Sequence, residues 1–304
     1  MNFEAVTLNP VYFQRIFLVI IKFLYLQCKI FNMSEVPDKF IDVEEIIRMK
    51  NPGLAKWLPR FIISYLKRLI HQDEVNRIIY DYRDYYGLDF VRCILEDMRV
   101  TYTVEGFEQV PEGGRYIFAS NHPLGGFDGL VLMDAIGLVF HDIRFIVNDL
   151  LLNLNNFYPV FVPVNKHGRQ SAGYARKIEE TYSGSAQVLY FPAGLCSRKI
   201  KGKITDLKWN KSFIQKSIQY ERDIVPVYFE GRNSDFFYNL ANLRKFLGIK
   251  ANMEMTFLVD EFFKQKGQHL TLKFGKPVPY TTFDESRSYK EWAEVVKEKV
   301  YAMR

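Results

Sequence analysis

The chain has 304 residues and carries 41 Lys and Arg against 35 Asp and Glu, a formal net charge of +6. Hydrophobic residues make up 48% of it and charged residues 25%, which excludes long disordered, collagen-like and disulfide-framework classes. Aromatic residues reach 16%, and a basic, aromatic-rich chain suits either nucleic acid or a membrane surface. Cys28, Cys93 and Cys196 lack the spacing of a zinc or iron–sulfur site, so we expect no metal and a reducing compartment.

The N-terminal region is the most apolar part of the chain. Residues 16–32 are shorter than the roughly 20 apolar residues of a bilayer span and contain Lys22 and Lys29. These lysines lie seven residues apart, on one helical face, which favours a helix that lies on a membrane surface. Met33 opens a polar segment typical of a cytosolic start, so residues 1–32 are either an apolar N-terminal extension or the product of an overcalled start codon.

Residues 33–96 are predicted to be a helical, membrane-proximal region. Within 54–70, apolar side chains recur with the i, i+3, i+4, i+7 rhythm of one helical face, at Leu54, Trp57, Leu58, Phe61, Ile62, Tyr65, Leu66, Leu69 and Ile70. Pro59 marks a first helical turn or a kink. The apolar face packs on the protein's own core, contacts a membrane, or does both, with flanking Lys and Arg side chains facing anionic lipid.

Residues 97–304 are predicted to form one α/β domain that ends in a helix from about Tyr289 to Ala302. Helix-length segments at 129–139, 171–182, 208–220 and 238–248 alternate with β-rich runs at 100–106, 115–120, 143–147, 159–164, 187–191, 224–231 and 270–275. This alternation predicts a largely parallel central sheet flanked by helices, in addition to the N-terminal helical region. The carboxyl edge of such a sheet gathers the functional loops.

The sharpest motif is SNHPLGGFDG, residues 120–129, which follows a predicted strand and opens a predicted helix. His122 would stand at the end of the strand, and Gly125 and Gly126 would turn the chain tightly. At the helix N-terminus Asp128 stays ionised and accepts a hydrogen bond from one imidazole nitrogen, leaving the other as a proton acceptor. The motif therefore predicts a general base, although a lone His–Asp pair is more often structural.

Two further motifs follow predicted strands. FPAGLCSRK, residues 191–199, contains Gly194, which permits close backbone approach so that the following N–H groups could face an oxyanion. VPVYFEGRNS, residues 225–234, ends in side chains that line an acceptor headgroup or simply form a turn. The segment FVPVNK, residues 161–166, comes before both of them and includes the end of the fourth predicted strand.

Together the four segments resemble the four ordered blocks of the glycerolipid (PlsC-type) acyltransferase superfamily, over residues 120–234, with flanking strands extending the match to about 96–285. The residues of these motifs are most similar to those of a bacterial branch that carries the label hemolysin and is related to ornithine-lipid and glycine-lipid O-acyltransferases. The resemblance implies that His122 and Asp128 are catalytic. The substrate-binding residues that it implies are Asn121, Gly125, Gly126, Phe191, Pro192, Gly194, Ser197, Arg198, Lys199, Arg232 and Asn233.

The sequence departs from the family pattern at three blocks. The second block lacks the family's usual arginine, with Asn165 and Lys166 nearby. Five residues instead of four separate His122 from Asp128, and the glycine pair between them could absorb the extra one. The third block has Ala, Leu and Cys196 where the family has Glu, Thr and an Arg that helps to hold the acceptor's phosphate. This loss favours an acylated amino acid over a glycerol phosphate as acceptor, with Arg198 or Lys199 as substitutes for the missing Arg. Cys196 replaces a binding residue and is not expected to be a nucleophile.

The resemblance thus implies an O-acyltransferase that moves a fatty acyl group from acyl carrier protein or CoA to the hydroxyl of a monoacylated glycine- or ornithine-type lipid. It implies no permanently bound cofactor and a cytoplasmic location, peripheral on the inner face of the cell membrane. The alternatives are a 1-acylglycerol-3-phosphate acyltransferase and a non-enzymatic, hemolysin-like membrane-binding protein.

A basic cluster follows the third block. Residues 197–216 carry seven Lys and Arg against one acidic residue, Asp206. This cluster could receive acyl carrier protein, a phosphate of CoA or anionic membrane lipids, or be a solvated helix face. Nucleic acid is not an expected partner because no zinc-finger, RNP or helix-turn-helix signature accompanies the charge. No oligomeric state is predicted.

Overall fold

The computed structural model describes residues 40–50, 52–148, 154–164, 172–249 and 252–304. The helices of these ranges are α1 (Val43–Lys50), α2 (Pro52–Trp57), α3 (Arg60–Leu69), α4 (Gln72–Asp81), α5 (Gly87–Asp97), α6 (Phe127–Gly137), α7 (Ala172–Ser183), α8 (Ser212–Tyr220), α9 (Asp235–Phe246), α10 (Leu258–Phe263) and α11 (Tyr289–Ala302). The strands are β1 (Thr101–Glu105), β2 (Tyr116–Ser120), β3 (Ile143–Asn148), β4 (Phe161–Val164), β5 (Gln187–Tyr190), β6 (Arg198–Ile200), β7 (Lys203–Thr205), β8 (Asp223–Glu230) and β9 (His269–Phe274). The predicted extension at 1–32 lies outside the described residues.

Seven strands form one sheet in the order β1-β9-β8-β2-β5-β3-β4. The five strands from β8 to β4 pair in parallel throughout, whereas β9 runs antiparallel to β8 and parallel to β1. The prediction of a largely parallel central sheet is confirmed, with two strands at one side running the other way. The carboxyl ends of the five parallel strands share one edge of the sheet, and the loops that follow β2, β5 and β8 begin there.

Helices cover both faces of the sheet, so β2 buries side chains on both of its sides. Phe118 belongs to a core cluster with α5 and α6, while its neighbours Ile117 and Ala119 belong to a second cluster with α8 and α11. Every residue of α6 is buried, so this helix is enclosed by the protein all round. α6 starts directly after the loop of the SNHPLGGFDG motif, which gives that motif a rigid support.

The seven strands of the central sheet agree with the seven predicted runs, with boundaries that differ by one or two residues. The predicted helices at 129–139, 171–182, 208–220 and 238–248 correspond to α6, α7, α8 and α9, and the C-terminal helix matches α11. The prediction missed the antiparallel β6–β7 hairpin and the short α10. Each of their segments is three to six residues long, too short for a periodic pattern to stand out.

The N-terminal helices have a small core of their own. Leu58, Leu66 and Ile70 are buried in a cluster with apolar residues of α1. Trp57 is 80% exposed and Phe61 is 72% exposed, so only part of the predicted apolar face packs internally. Pro59 is the N-cap of α3 and separates it from α2, so the predicted helix is interrupted there. Among the described residues, no helix is both long and apolar enough to cross a bilayer.

Candidate active site

The loops after β2, β5 and β8 are joined by hydrogen bonds at the carboxyl edge of the sheet. The side chain of Asn121 donates from Nδ2 to the carbonyl of Phe229 at 2.9 Å and accepts from its N–H at 2.6 Å. The N–H of Ser197 donates to the carbonyl of His122 at 2.7 Å. Asn121 was predicted to bind substrate, but it is 2% exposed and both ends of its amide are engaged. Its geometry instead fits a brace between the first and fourth blocks.

His122 and Asp128 meet in the geometry expected of a general base and its orienting carboxylate. The Nδ1 atom of His122 lies 2.9 Å from Oδ2 of Asp128, whose side chain is fully buried. No described residue makes a hydrogen bond to Nε2, and 14% of the imidazole side chain is exposed. Nδ1–H donating to the carboxylate leaves Nε2 as the proton acceptor.

Asp128 stays ionised because donors surround its carboxylate. Its Oδ2 also accepts from the N–H of Leu124, and its Oδ1 accepts from the N–H groups of Gly126 and Gly129. Burial pushes the pKa of Asp128 upward, but His122 and these N–H donors outweigh burial and hold the pKa below its usual value. The resulting anion holds the imidazole in one orientation through the Nδ1–Oδ2 contact.

Aromatic stacking and close packing fix the loop around the imidazole. The ring of Phe191 stacks on that of His122, with centroids 4.0 Å apart and planes inclined by 21°. Gly125 has a φ of +78°, and a Cβ there would come within 2.8 Å of Leu258 and 3.1 Å of Cys196. Only glycine accommodates both the backbone conformation and the contact. Phe191 and Gly125 are thus brought to the site, where they shape it.

The third block is held from inside by a buried ionic cluster. Arg198 is 6% exposed and donates to the carbonyl of Cys196, while its other terminal nitrogen lies 3.0 Å from Glu254. Glu254 is itself fully buried and also accepts from Arg244 at 2.8 Å. The idea that Arg198 replaces the missing anion-binding Arg therefore meets a physical obstacle, because both of its terminal nitrogens are already engaged within the protein.

Cys196 and Ser197 are also buried rather than presented to a ligand. Burial raises the pKa of the Cys196 thiol to about 11, so the thiol is protonated at neutral pH and poorly suited to be a nucleophile. Ser197 is 1% exposed, and its hydroxyl donates to Oδ1 of Asp206 at 2.5 Å. Ser197 was predicted to bind substrate but packs beneath the site instead. The buried, protonated thiol of Cys196 agrees with the expectation that this residue is not a nucleophile.

Asp206 is the main residue of the site that was not predicted. Its Oδ1 accepts from the N–H of His122 at 3.2 Å and from Ser197, and its Oδ2 accepts from the indole N–H of Trp209 at 2.8 Å. Burial raises the pKa of Asp206, against the lowering effect of these donors. The sequence signal was its position as the lone acidic residue of the basic stretch 197–216.

The turn of the third block limits which main-chain N–H groups could donate to an oxyanion. Gly194 has a φ of +62°, and its N–H donates to the carbonyl of Phe191 at 3.0 Å. The N–H of Ser197 donates to the carbonyl of His122. The N–H groups at both ends of the turn, those of Gly194 and Ser197, are therefore already engaged in hydrogen bonds within the protein. Among the described residues, no acceptor was found for the N–H of Leu195 or Cys196. Pro192 is buried, and its carbonyl accepts from Asn210 N–H at 2.9 Å.

The fourth block places charge at the surface beside the site. Arg232 is an exposed side chain whose guanidinium lies 2.6 Å from Asp235, and Lys199 lies 3.2 Å from the same carboxylate. Asn233 is 1% exposed, and no described residue makes a hydrogen bond to its side-chain amide. The described residues likewise contain no cluster of His, Cys, Asp and Glu that could hold a metal ion.

Comparisons with known proteins identify the family of this chain. A crystal structure of the 1-acyl-sn-glycerophosphate (LPA) acyltransferase PlsC from Thermotoga maritima aligns with 96% of this chain and 93% of its own, at 18% identity and a TM-score of 0.41. A lyso-glycine lipid O-acyltransferase of Bacteroides thetaiotaomicron is 47% identical over 264 residues, which are 86% of this chain and 97% of that protein. Another, of Phocaeicola vulgatus, is 45% identical over 86% of this chain and 95% of its own. The acyltransferase family model matches residues 45–304. The chain therefore belongs to the acyltransferase family.

Proposed function

We propose that this protein transfers a fatty acyl group from an acyl thioester to the hydroxyl of a lyso-glycine lipid. The observation that carries the proposal is the pair of His122 and Asp128, 2.9 Å apart, with the carboxylate fully buried and the imidazole partly exposed. The two relatives with 45–47% identity have the same activity in their names. A non-enzymatic, hemolysin-like role is less well supported because it would leave this pair without a purpose.

The chemistry follows from the orientation of the imidazole. Nε2 of His122 removes the proton from the acceptor hydroxyl while the oxygen attacks the thioester carbonyl carbon. Asp128 stabilises the imidazolium, and the N–H groups of Leu195 and Cys196 are candidate donors to the tetrahedral oxyanion. The carbon–sulfur bond then breaks, and the proton on His122 passes to the departing thiolate. No acyl-enzyme is required, since both substrates are held together.

The third block supports an amino-acid lipid as acceptor. The position where the family uses an arginine for the acceptor's phosphate holds Cys196, which is completely buried. Arg198, two residues further on, is tied to Glu254 and so does not restore that function. Arg232 is exposed at the end of the fourth block and is the cation that we propose for the acceptor's carboxylate. The acyl donor is a thioester of acyl carrier protein or CoA. The enzyme works at the cytoplasmic face of the membrane.

The test uses purified protein with lyso-glycine lipid and, in parallel reactions, lysophosphatidic acid. Each acceptor is offered a long-chain acyl-CoA or acyl carrier protein thioester, and the diacylated product is measured by mass spectrometry. We expect turnover with lyso-glycine lipid and a loss of roughly 10²–10⁴-fold in His122→Ala, the range of general-base catalysis. His141→Ala is the matched control, because His141 is exposed and outside the site.

Two outcomes would count against the proposal. Turnover with lysophosphatidic acid and none with lyso-glycine lipid would establish the alternative acceptor. Near-normal turnover of His122→Ala with any acceptor would remove the histidine from the mechanism.

A further inference from the structure

An exposed apolar face lies on α9, the helix that begins directly after the fourth block. Phe236, Leu243 and Leu247 follow one another at intervals of seven and four residues, which puts them on one side of the helix. They are 54%, 53% and 59% exposed, and the neighbouring Phe246 is 87% exposed. We call these four side chains the α9 apolar face. Large apolar side chains grouped in this way mark an interaction surface rather than ordinary surface composition.

The opposite side of α9 is packed against the site. Phe237 and Tyr238 are fully buried and form a cluster with Cys196 of the third block. Phe236 also touches Phe257, with ring centroids 5.0 Å apart, and the next residue, Leu258, packs against the glycine turn beside His122. The α9 apolar face therefore belongs to an element that also forms the wall of the catalytic loop.

Basic side chains border this face on the β6–β7 hairpin. Asn242 of α9 donates to the carbonyl of Lys199 at 3.3 Å, which joins the hairpin to the helix. Lys201 and Lys203 are exposed on the hairpin. The hairpin contains no acidic residue. Exposed Phe and Leu side chains next to lysines are what an anionic lipid surface recognises, through apolar insertion and charge attraction.

We propose that the α9 apolar face and the β6–β7 hairpin dock this enzyme on an anionic lipid bilayer, with the site opening toward the membrane. The inference rests on the proposed function, since an acyl acceptor that is itself a lipid has to reach His122 from a bilayer. An acidic carrier protein could also be attracted by the lysines. The four large apolar side chains favour lipid, because they would otherwise face a polar protein surface.

The test is binding to vesicles of phosphatidylcholine with or without phosphatidylglycerol, measured by co-sedimentation without substrate. We expect Phe246→Asp to weaken binding at least about tenfold, the effect of withdrawing one large apolar side chain from the interface. Leu138→Asp is the matched control, since Leu138 is 62% exposed and also stands at a helix C-terminus. Lys203→Glu should weaken binding only to the phosphatidylglycerol vesicles, and high salt should remove this difference.

Activity measured in detergent separates this inference from the proposed function. Phe246→Asp should turn over detergent-dispersed acceptor at the wild-type rate, whereas His122→Ala should bind vesicles normally without turnover. Vesicle binding of Phe246→Asp equal to that of wild type would overturn the docking proposal and leave the proposed function standing. A raised KM for acyl carrier protein with unchanged vesicle binding would assign the face to the donor protein instead.

Discussion

Replacing Asp206 by Asn keeps the shape of the buried side chain beneath His122 but reduces the number of hydrogen bonds that it can accept. In the wild type, three donors converge on the carboxylate, from the main chain of His122, the hydroxyl of Ser197 and the indole of Trp209. An asparagine has one acceptor oxygen and one NH₂ group. Whichever way the amide is turned, its NH₂ faces either the N–H of His122 or the N–H of Trp209.

The expected loss of stability in Asp206→Asn follows from the one N–H group that is left facing the amide NH₂. A buried donor that loses its acceptor costs about 1–3 kcal/mol, and Trp209 is 2% exposed, so water does not readily replace the acceptor. Part of this cost is offset because burial raises the pKa of Asp206, which means that its charged form is disfavoured in the fold. We expect Asp206→Asn to lower the free energy of unfolding by about 1–2 kcal/mol. Misplacement of His122 should lower kcat by about tenfold or more with KM little changed.

Urea unfolding and steady-state kinetics of four proteins test this reasoning: wild type, Asp206→Asn, Trp209→Phe and the double variant. Phe at position 209 removes the indole donor, so the Asn NH₂ can turn toward it without facing an N–H. Asp206→Asn should therefore cost about 1 kcal/mol less in the Trp209→Phe background. Equal costs in both backgrounds, together with an unchanged kcat, would refute the claim that Asp206 positions the imidazole.

Three more predictions follow from the site. Gly125→Ala should destabilise the fold by about 1–3 kcal/mol in urea unfolding, since its Cβ meets Leu258 at a positive φ, whereas Gly173→Ala, with open space, should not. Cys196→Ser should keep turnover within about threefold, because a buried thiol with a pKa raised to about 11 does no nucleophilic chemistry; complete loss with an intact fold would contradict this. The pKa of Asp128 is lowered by folding, so its stabilisation is present above the unfolded pKa of about 3.9 and disappears as pH falls through the lower folded value. Asp128→Asn should accordingly lose stability at neutral pH and show a shallower acid limb in unfolding at pH 2–7; an unchanged acid limb would contradict the shift.

Much of the fold could be predicted because local pattern and fold agree in the α/β domain. The strands from 100–106 to 270–275 are β-rich runs bounded by turn residues, and their alternation with helices indicates a parallel sheet. The direction of β1 and β9, at one edge of the sheet, was harder to predict from the sequence. β9 returns antiparallel beside β8 after α9, a 3₁₀ turn and α10, and the last two of these segments are too short for a clear periodic pattern.

The contact between His122 and Asp128 was also predictable, since the two residues and the glycine turn between them lie within seven residues of one another. Their contact depends on local chain geometry, which a short motif encodes. The roles of Asn121, Ser197 and Arg198 were not accessible in the same way. Asn121 is held by Phe229 and Arg198 by Glu254, each distant in sequence, and Ser197 is held by His122 and by Asp206. The sequence pattern suggested a ligand contact for all three, whereas these buried contacts are set by residues from other elements of the fold.

What the sequence by itself determined is the succession of strands and helices along the chain, the four blocks at strand ends, and the pairing of His122 with Asp128. Only the tertiary structure decided that Arg198 is held by Glu254, that Asp206 lies beneath His122, and that one side of α9 is left exposed beside the site. The physical reason is the range of the interactions. Periodicity and turn residues act between neighbours along the chain, whereas burial and hydrogen-bond satisfaction depend on residues that meet only after folding.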